Sequence, residues 1–215
     1  MLALNPELFA TFLLAACVVI AAPGPDSLNT LAIGMARGRL EAVAYALGVG
    51  VGCLTHTLWA VLGVSALVAA SATLFNAVKL VGVAYLLWLG VQALRDKGAL
   101  RLNADAPKPG GAISARQRFV HGVLTNALNP KVMLFFMAFL PQFADPRIGS
   151  VAAQMLLMGL SFAIITTMAY ALLAMGAGSL GARLLRRPAL AQWLNRCTGV
   201  LFIGLALRLL LAERR

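Results

Sequence analysis

The fold is decided by residues 8–36, which read LFATFLLAACVVIAAPGPDSLNTLAIGMA. Asp26 is the single charged residue in this stretch. About 20 apolar residues suffice for an α-helix to cross the hydrocarbon core of a bilayer, which is about 30 Å thick. We therefore predict a transmembrane helix here, interrupted by Pro23-Gly24-Pro25.

The rest of the chain has the same apolar character. It is 215 residues long, 61% hydrophobic and 12% charged, whereas ordinary globular domains are about 25% charged. Six apolar segments are predicted, at about residues 8–36, 42–68, 72–94, 119–143, 149–178 and 193–212. The sequence thus predicts an all-α integral membrane protein that forms one domain over residues 1–215.

The basic residues indicate how the chain crosses the membrane. A net charge of +11 would suggest a nucleic-acid partner in a soluble protein, but here the Lys and Arg residues flank apolar segments, so membrane lipid is the expected partner. Twelve of the 18 lie in or beside the loops after the first, third and fifth segments, and five lie on the other side. Excess positive charge marks cytoplasmic loops, so the odd-numbered loops are predicted to be cytoplasmic.

The polar stretch 96–118 contains Pro107-Lys108-Pro109-Gly110-Gly111 and is predicted to be a flexible cytoplasmic linker. It separates two halves, about 1–95 and 119–215, each with three predicted helices. Each half opens with a helix broken by proline. Because an odd number of crossings reverses direction, the halves are predicted to form an inverted repeat, as in many secondary transporters.

The first break places an acid inside the membrane. Pro23 and Pro25 remove backbone hydrogen bonds, and such a backbone is tolerated at this depth only where it is buried in protein or lines a cavity. The midpoint between Glu7 and Arg37 is residue 22, so Asp26 lies roughly 6 Å beyond it. Asp26 is expected to face a cavity, to have a partner or to be protonated; the alternative is that it only caps the second half-helix.

The second break places a base at comparable depth. Lys131 lies at the midpoint of Arg118–Asp145, too deep to reach a headgroup layer easily. Asn126 and Asn129 precede it and are expected to bond freed backbone or a ligand, and Pro130 breaks the helix. Lys131 is predicted to be functional or to pair with Asp26; the alternative is a purely structural bridge between the halves.

Two half-helix N-termini with unpaired N–H groups favour a carboxylate, and Asp26 favours an ammonium group. The pattern therefore predicts a site for a zwitterion such as an α-amino acid. At this site a proton on Asp26 is expected to exchange against the substrate. His56, near the middle of the second segment, is a second candidate for proton coupling, although a lone His of this kind is more often a packing residue. Ser161, Thr166 and Thr167 are expected to bond their own backbone rather than to line a cavity.

Other function classes find little support in the sequence. There is no HExxH motif, Ser/His dyad or aspartate pair, so the chain is not predicted to be an enzyme, and no cofactor or metal site is expected. A cation or heavy-metal exporter remains the alternative, but it would need several carboxylates or thiols near the midplane.

The chain resembles the LysE/RhtB family of bacterial amino-acid exporters. The resemblance extends over the whole length and rests on three motifs: Pro23-Gly24-Pro25-Asp26, the run from Gly122 to Lys131 that contains Asn126 and Asn129-Pro130, and Phe135 to Phe143. It implies an inner-membrane, proton-driven efflux carrier that forms a homodimer, with both broken-helix motifs along the translocation path. Val132 departs from the motif, being bulkier than the small residue expected after the Lys.

Overall fold

The computed structural model describes residues 4–70, 72–95, 113–186 and 188–211. Within these ranges the regular structure is entirely helical. The helices are α1 (Pro6–Ala21), α2 (Pro25–Arg37), α3 (Arg39–Ala70), α4 (Ala72–Arg95), α5 (Ala115–Ala127), α6 (Pro130–Phe139), a 3₁₀ turn (Leu140–Phe143), α7 (Val151–Arg186) and α8 (Pro188–Leu211). Most of the predicted linker, residues 96–112, lies outside the described ranges.

The first predicted break is confirmed. Asn5 caps α1 by accepting hydrogen bonds from the backbone N–H groups of Glu7 and Leu8, and the helix ends at Ala21. The chain resumes as α2 at Pro25, which suits the first helical position because it lacks an N–H group. The axes of α1 and α2 are bent by 50°, so this segment is two half-helices.

The second break repeats this arrangement. Ser114 and Gln117 form a reciprocal capping box at the start of α5, as expected for this spacing. That helix ends at Ala127, and α6 begins at Pro130 with Asn129 as its cap. The bend between α5 and the segment Pro130–Phe143 is again 50°.

Two continuous helices in the described part of the chain are long and apolar enough to cross a membrane. They are Arg39–Gly63 within α3 and Val151–Gly178 within α7, and the count rises to four if each bent pair is one span. Helix α7 continues to Arg186, beyond the predicted end at 178, because hydropathy marks the membrane core and not the last helical residue. Likewise, α8 begins at Pro188, five residues before the predicted apolar segment.

Helix α3 packs against both α5 and α7, while α4 packs against α8. Glycines bring α3 and α5 into backbone contact: a Cβ atom at Gly48 would overlap the Phe119 carbonyl oxygen, and one at Gly122 would overlap the Tyr45 carbonyl oxygen. Small residues at such crossings are typical of membrane helices. The start of α5 is joined to that of α3 by an ion pair between Arg118 Nε and Glu41 Oε2, 2.7 Å apart.

Aromatic rings fill the space beside the two breaks. Phe135 lies 6.4 Å from Phe12, 5.6 Å from Phe139 and 5.7 Å from Phe162, measured between ring centroids. These rings come from α1, α6 and α7 and are all buried. The core therefore holds the half-helices α1 and α6 against the continuous helix α7.

Candidate functional site

Side chains from α6 and α7 satisfy the carbonyl groups freed at the end of α1. Lys131 Nζ donates to the backbone oxygens of Val19, at 3.1 Å, and Ala22, at 2.9 Å. The Tyr170 hydroxyl donates to the backbone oxygen of Ile20, at 3.1 Å. A helix end leaves such carbonyls without intrahelical partners, so these bonds explain how the break is accommodated inside the fold.

Lys131 therefore serves as a cap for another helix. Its ammonium group is buried and lies at the negative end of the α1 dipole, which favours a cation. Gly24 makes room for it, since a Cβ atom there would lie 2.9 Å from Nζ. The direct bridge to Asp26 is not formed: unlike Arg118–Glu41 and Arg147–Asp145, these two side chains are not within ion-pair distance.

The Asp26 carboxylate is held from one side only. Its Oδ2 atom accepts hydrogen bonds from Asn126 Nδ2 and Asn129 Nδ2, both at 2.8 Å. Its Oδ1 atom is buried and has no hydrogen-bond partner among the described residues. The fold thus brings together three predicted site residues from both breaks and leaves one carboxylate oxygen available.

Asn126 and Asn129 also maintain the second break. The backbone oxygen of Asn126 accepts a hydrogen bond from His56 Nε2, 2.7 Å away. Because a carbonyl oxygen only accepts, Nε2 must be the protonated ring nitrogen. Asn129 Oδ1 accepts from the Lys131 backbone N–H group, at 3.0 Å, which caps α6. His56 therefore caps α5 much as Tyr170 caps α1.

A narrow void lies between the two breaks. Its lining is Val19, Ile20, Asp26, Asn126, Lys131, Val132, Phe162, Thr166 and Tyr170. The void is too narrow to hold a water molecule. Three buried polar atoms in this lining lack a hydrogen-bond partner within the described ranges: Asp26 Oδ1, Asn126 Oδ1 and Thr166 Oγ1.

The structure distinguishes the predicted site residues by position. Asp26, Asn126 and Lys131 line the void, and Asn129 holds Asp26 from outside it. The others act through the backbone: Pro23, Gly24, Pro25 and Pro130 form or border the breaks. His56 contacts Asn126 but does not line the void, and its role in proton coupling stays a prediction.

Two polar residues of α7 that line the void, Thr166 and Tyr170, were not among the predicted site residues. Tyr170 had as its only signal an aromatic hydroxyl within an apolar segment. Thr166 was expected to bond its own backbone, and this was wrong because its buried hydroxyl makes no hydrogen bond to the described backbone. The same expectation is confirmed for Ser161, which donates to the Leu157 oxygen, and for Thr167, which donates to the Ala163 oxygen.

Acidic and soft ligands are not concentrated at this site. Among the residues that the structure describes, no three His, Cys, Asp or Glu side chains lie close enough to hold a metal ion. Cys53 is buried, Cys17 is exposed and Cys197 is intermediate, and all three are free thiols.

The sequence matches known proteins over most of its length. The family model of the LysE type translocators matches residues 17–213. An uncharacterized membrane protein of Vibrio cholerae is 31% identical over 96% of this chain and 98% of its own. The leucine efflux protein of an Enterobacter species is 30% identical over 94% of each chain, and the threonine efflux protein of Escherichia coli K12 is 30% identical over 96% of this chain and 98% of its own. No solved structure gives a significant match. With its two broken helices and a family match that spans both, the chain belongs to the LysE type translocator family.

Proposed function

We propose that this chain is a secondary-active exporter of amino acids, or of closely related small metabolites, driven by proton antiport. The observation that carries the proposal is the Asp26 carboxylate: it is buried between two helix breaks in the lining of a void, and its Oδ1 atom has no described hydrogen-bond partner. The names of the relatives, leucine and threonine efflux proteins, support this substrate class.

The polar groups around the void suit a zwitterion. Asp26 supplies a negative oxygen for the ammonium group of an amino acid. Lys131 has three N–H donors and directs two of them to described carbonyl oxygens, which leaves one for a carboxylate. The first-turn N–H groups of α2 and α6 add partial positive charge on the same side.

Proton exchange follows from the geometry of Asp26. Oδ2 already accepts two hydrogen bonds, so an added proton binds more favourably to Oδ1. The substrate ammonium group needs the same atom as an acceptor. A proton and an amino acid therefore compete for Asp26 Oδ1, and this competition couples export to the proton gradient.

Transport also requires movement, because the void does not admit even a water molecule. This conformation is occluded, and the two 50° bends are the places where the half-helices pivot. Opening towards one side of the membrane exposes the site to the cytoplasm, and opening towards the other releases the substrate.

The chain contains six transmembrane segments in two inverted halves. In support, each half has a bent pair, one long apolar helix and one further helix of 24 residues, α4 or α8, which is about 36 Å long. The cross-contacts also correspond: Tyr170 of the long helix α7 caps α1, and His56 of the long helix α3 caps α5. We propose that the odd-numbered loops lie in the cytoplasm. We also propose that the protein forms a homodimer in the bacterial inner membrane.

A cation or heavy-metal exporter is the alternative function, and the site favours it less. Metal sites need several carboxylate, imidazole or thiolate ligands. Among the described residues that line the void, Asp26 is the only carboxylate, and Lys131 adds a positive charge there. A metal ion has no negative group to offset that charge, whereas the carboxylate of a zwitterion does.

The proposed function is tested by export from intact bacteria. Cells that express the chain are loaded with leucine- or threonine-containing dipeptides, and the amino acids that appear outside are measured by chromatography. We expect faster efflux than from cells with an empty vector, and none above background for Asp26→Asn at equal membrane abundance. Efflux of no amino acid, or full proton-coupled efflux with Asp26→Asn, would overturn the proposal.

A further inference from the structure

The hydroxyl groups of α7 differ in what they bond. Ser161 Oγ and Thr167 Oγ1 each donate to the carbonyl oxygen four residues earlier, at 2.8 Å, which is the usual solution for such residues in an apolar helix. Thr166 is 2% exposed, yet its hydroxyl makes no hydrogen bond to the described backbone, and the polar group beside it is the Cys53 thiol. Thr166 therefore differs from its neighbours in keeping its hydroxyl available.

Two more unpaired oxygens belong to residues that line the same void as Thr166. They are Asp26 Oδ1 from α2 and Asn126 Oδ1 from α5. Buried polar atoms in proteins are nearly always paired, so each exception requires an explanation. The Cys53 thiol beside Asn126 and Thr166 is only a weak donor, so three oxygens on three different helices around one void can each take a stronger donor from a ligand.

The chemistry of these atoms restricts that ligand. A carboxylate oxygen and an amide oxygen only accept hydrogen bonds, and a hydroxyl oxygen can accept one as well. A ligand that fits must therefore supply donors and, next to Asp26, preferably positive charge. A primary ammonium group has three N–H donors, one for each oxygen, whereas an N-methylated ammonium group has two.

We propose that Asp26 Oδ1, Asn126 Oδ1 and Thr166 Oγ1 together bind the primary ammonium group of the exported substrate. Thr166 supplies the third acceptor and thereby determines the preference for primary amines over N-methylated ones. This assignment rests on the proposed function and adds to it a binding residue and a restriction on the substrate.

The test is amino-acid exchange in proteoliposomes of the purified full-length protein. Vesicles are loaded with unlabelled L-leucine, and entry of labelled L-leucine or N-methyl-L-leucine is measured, with L-threonine and N-methyl-L-threonine as a second pair. In Thr166→Val we expect the half-saturating concentration of the primary amino acid to rise roughly tenfold, the effect of losing one hydrogen bond to a charged group. The value for the N-methylated compound should change less than about twofold, because that compound has no third donor.

Three variants control for packing and for the loss of a hydroxyl as such. Thr166→Ser keeps the acceptor and should restore the preference, whereas Thr166→Ala should behave like Thr166→Val. Thr167→Val is the matched control, because it removes a neighbouring hydroxyl that is already bonded to Ala163, and it should leave both half-saturating concentrations unchanged.

The possible failures are distinguishable. If the wild type exchanges leucine or threonine but Thr166→Val discriminates against the N-methylated compound as the wild type does, the role of Thr166 is wrong and the proposed function stands. The role is equally wrong if Thr166→Ser fails like Thr166→Val, or if exchange depends on Na⁺, because the three oxygens would then hold a metal ion. If the wild type exchanges neither amino acid, the proposed function falls together with this assignment.

Discussion

The Lys131 ammonium group lies 2.9 Å from the backbone oxygen of Ala22 and not in ion-pair contact with the Asp26 carboxylate. A residue of the second half of the chain thus caps the broken helix of the first half. Asp26 accepts hydrogen bonds from Asn126 and Asn129 instead, so its charge is not neutralised by a direct ion pair. Lys131 has a structural role that can be measured apart from any role in substrate binding.

Replacing Lys131 by Met should destabilise the protein. The Val19 and Ala22 oxygens would lose their donor while remaining buried, at a cost of about 1–3 kcal/mol for each unpaired group. We expect a lower midpoint of thermal unfolding for the purified protein in detergent. Tyr170→Phe removes one such bond, to the Ile20 oxygen, and should have a smaller effect. A melting temperature for Lys131→Met equal to that of the wild type would show that these bonds are not needed.

The contact between α3 and α5 should tolerate no added side chain. In Gly48→Ala the new methyl group overlaps the Phe119 carbonyl oxygen, so the helices must separate, and overpacking of this kind costs about 1–3 kcal/mol. We expect reduced thermal stability and reduced transport. Gly204→Ala is the matched control, because a Cβ atom there meets nothing within 4 Å. Equal behaviour of the two variants would argue against close packing of these helices.

Asn129 can be tested for its two separate roles. Asn129→Ser keeps an acceptor for the Lys131 backbone N–H group but removes the amide N–H that Asn129 donates to Asp26 Oδ2, and its hydroxyl is on a shorter side chain. Asn129→Asp also keeps the cap, but it places a second carboxylate where an amide now lies 2.8 Å from Asp26 Oδ2, and close like charges repel strongly when buried. We expect transport to fall roughly tenfold in the Ser variant and to be lost in the Asp variant. Transport at the wild-type rate in both variants would mean that Asn129 serves only as a helix cap.

The loop before α7 should show a pH-dependent stabilisation. The Arg147 side chain donates to both Asp145 carboxylate oxygens, at 2.9 and 2.7 Å, and its backbone N–H group donates to Oδ1. These bonds hold the pKa of the Asp145 carboxyl well below its usual range. A carboxyl whose pKa is depressed on folding stabilises the fold above its unfolded pKa, about 3.9, and loses that contribution as pH falls towards the folded value.

Asp145→Asn is therefore expected to lower the melting temperature at pH 7, and the difference from the wild type should shrink below about pH 4. Melting curves in detergent at both pH values measure it. If the difference in melting temperature persists unchanged at low pH, the effect of the substitution does not depend on the charge of the Asp145 carboxylate. Its backbone N–H group and carbonyl oxygen, both bonded to the Gln154 side chain, are unaffected by this substitution.

The sequence was sufficient to predict the helix breaks and the residues beside them. Proline lacks an N–H group wherever it lies, so Pro23, Pro25 and Pro130 disfavour a continuous helix whatever packs around them. The predicted depth of Asp26 and Lys131 follows from their distance to the ends of the apolar segments and stays a prediction. These features depend on local chemistry and can be read directly from the sequence.

Side-chain partners could not be predicted in the same way. Lys131 bonds carbonyl oxygens that become available only because α1 ends beside α6, and the sequence does not show which helices are neighbours. Thr166 and Thr167 are adjacent and chemically identical, but they lie about 100° apart around α7, so only one faces the void. Which face that is depends on the rotation of α7 in the assembled fold.

The central proposal is that a proton and an amino acid compete for Asp26 Oδ1. The most direct measurement is the number of protons released when L-leucine or L-threonine binds to the purified protein, obtained by calorimetry in buffers of different ionisation enthalpy between pH 5 and 8. We expect release to approach one proton per bound amino acid in the acidic part of this range for the wild type, and none for any residual binding to Asp26→Asn. Binding without proton release in the wild type, or undiminished release in Asp26→Asn, would contradict the proposal.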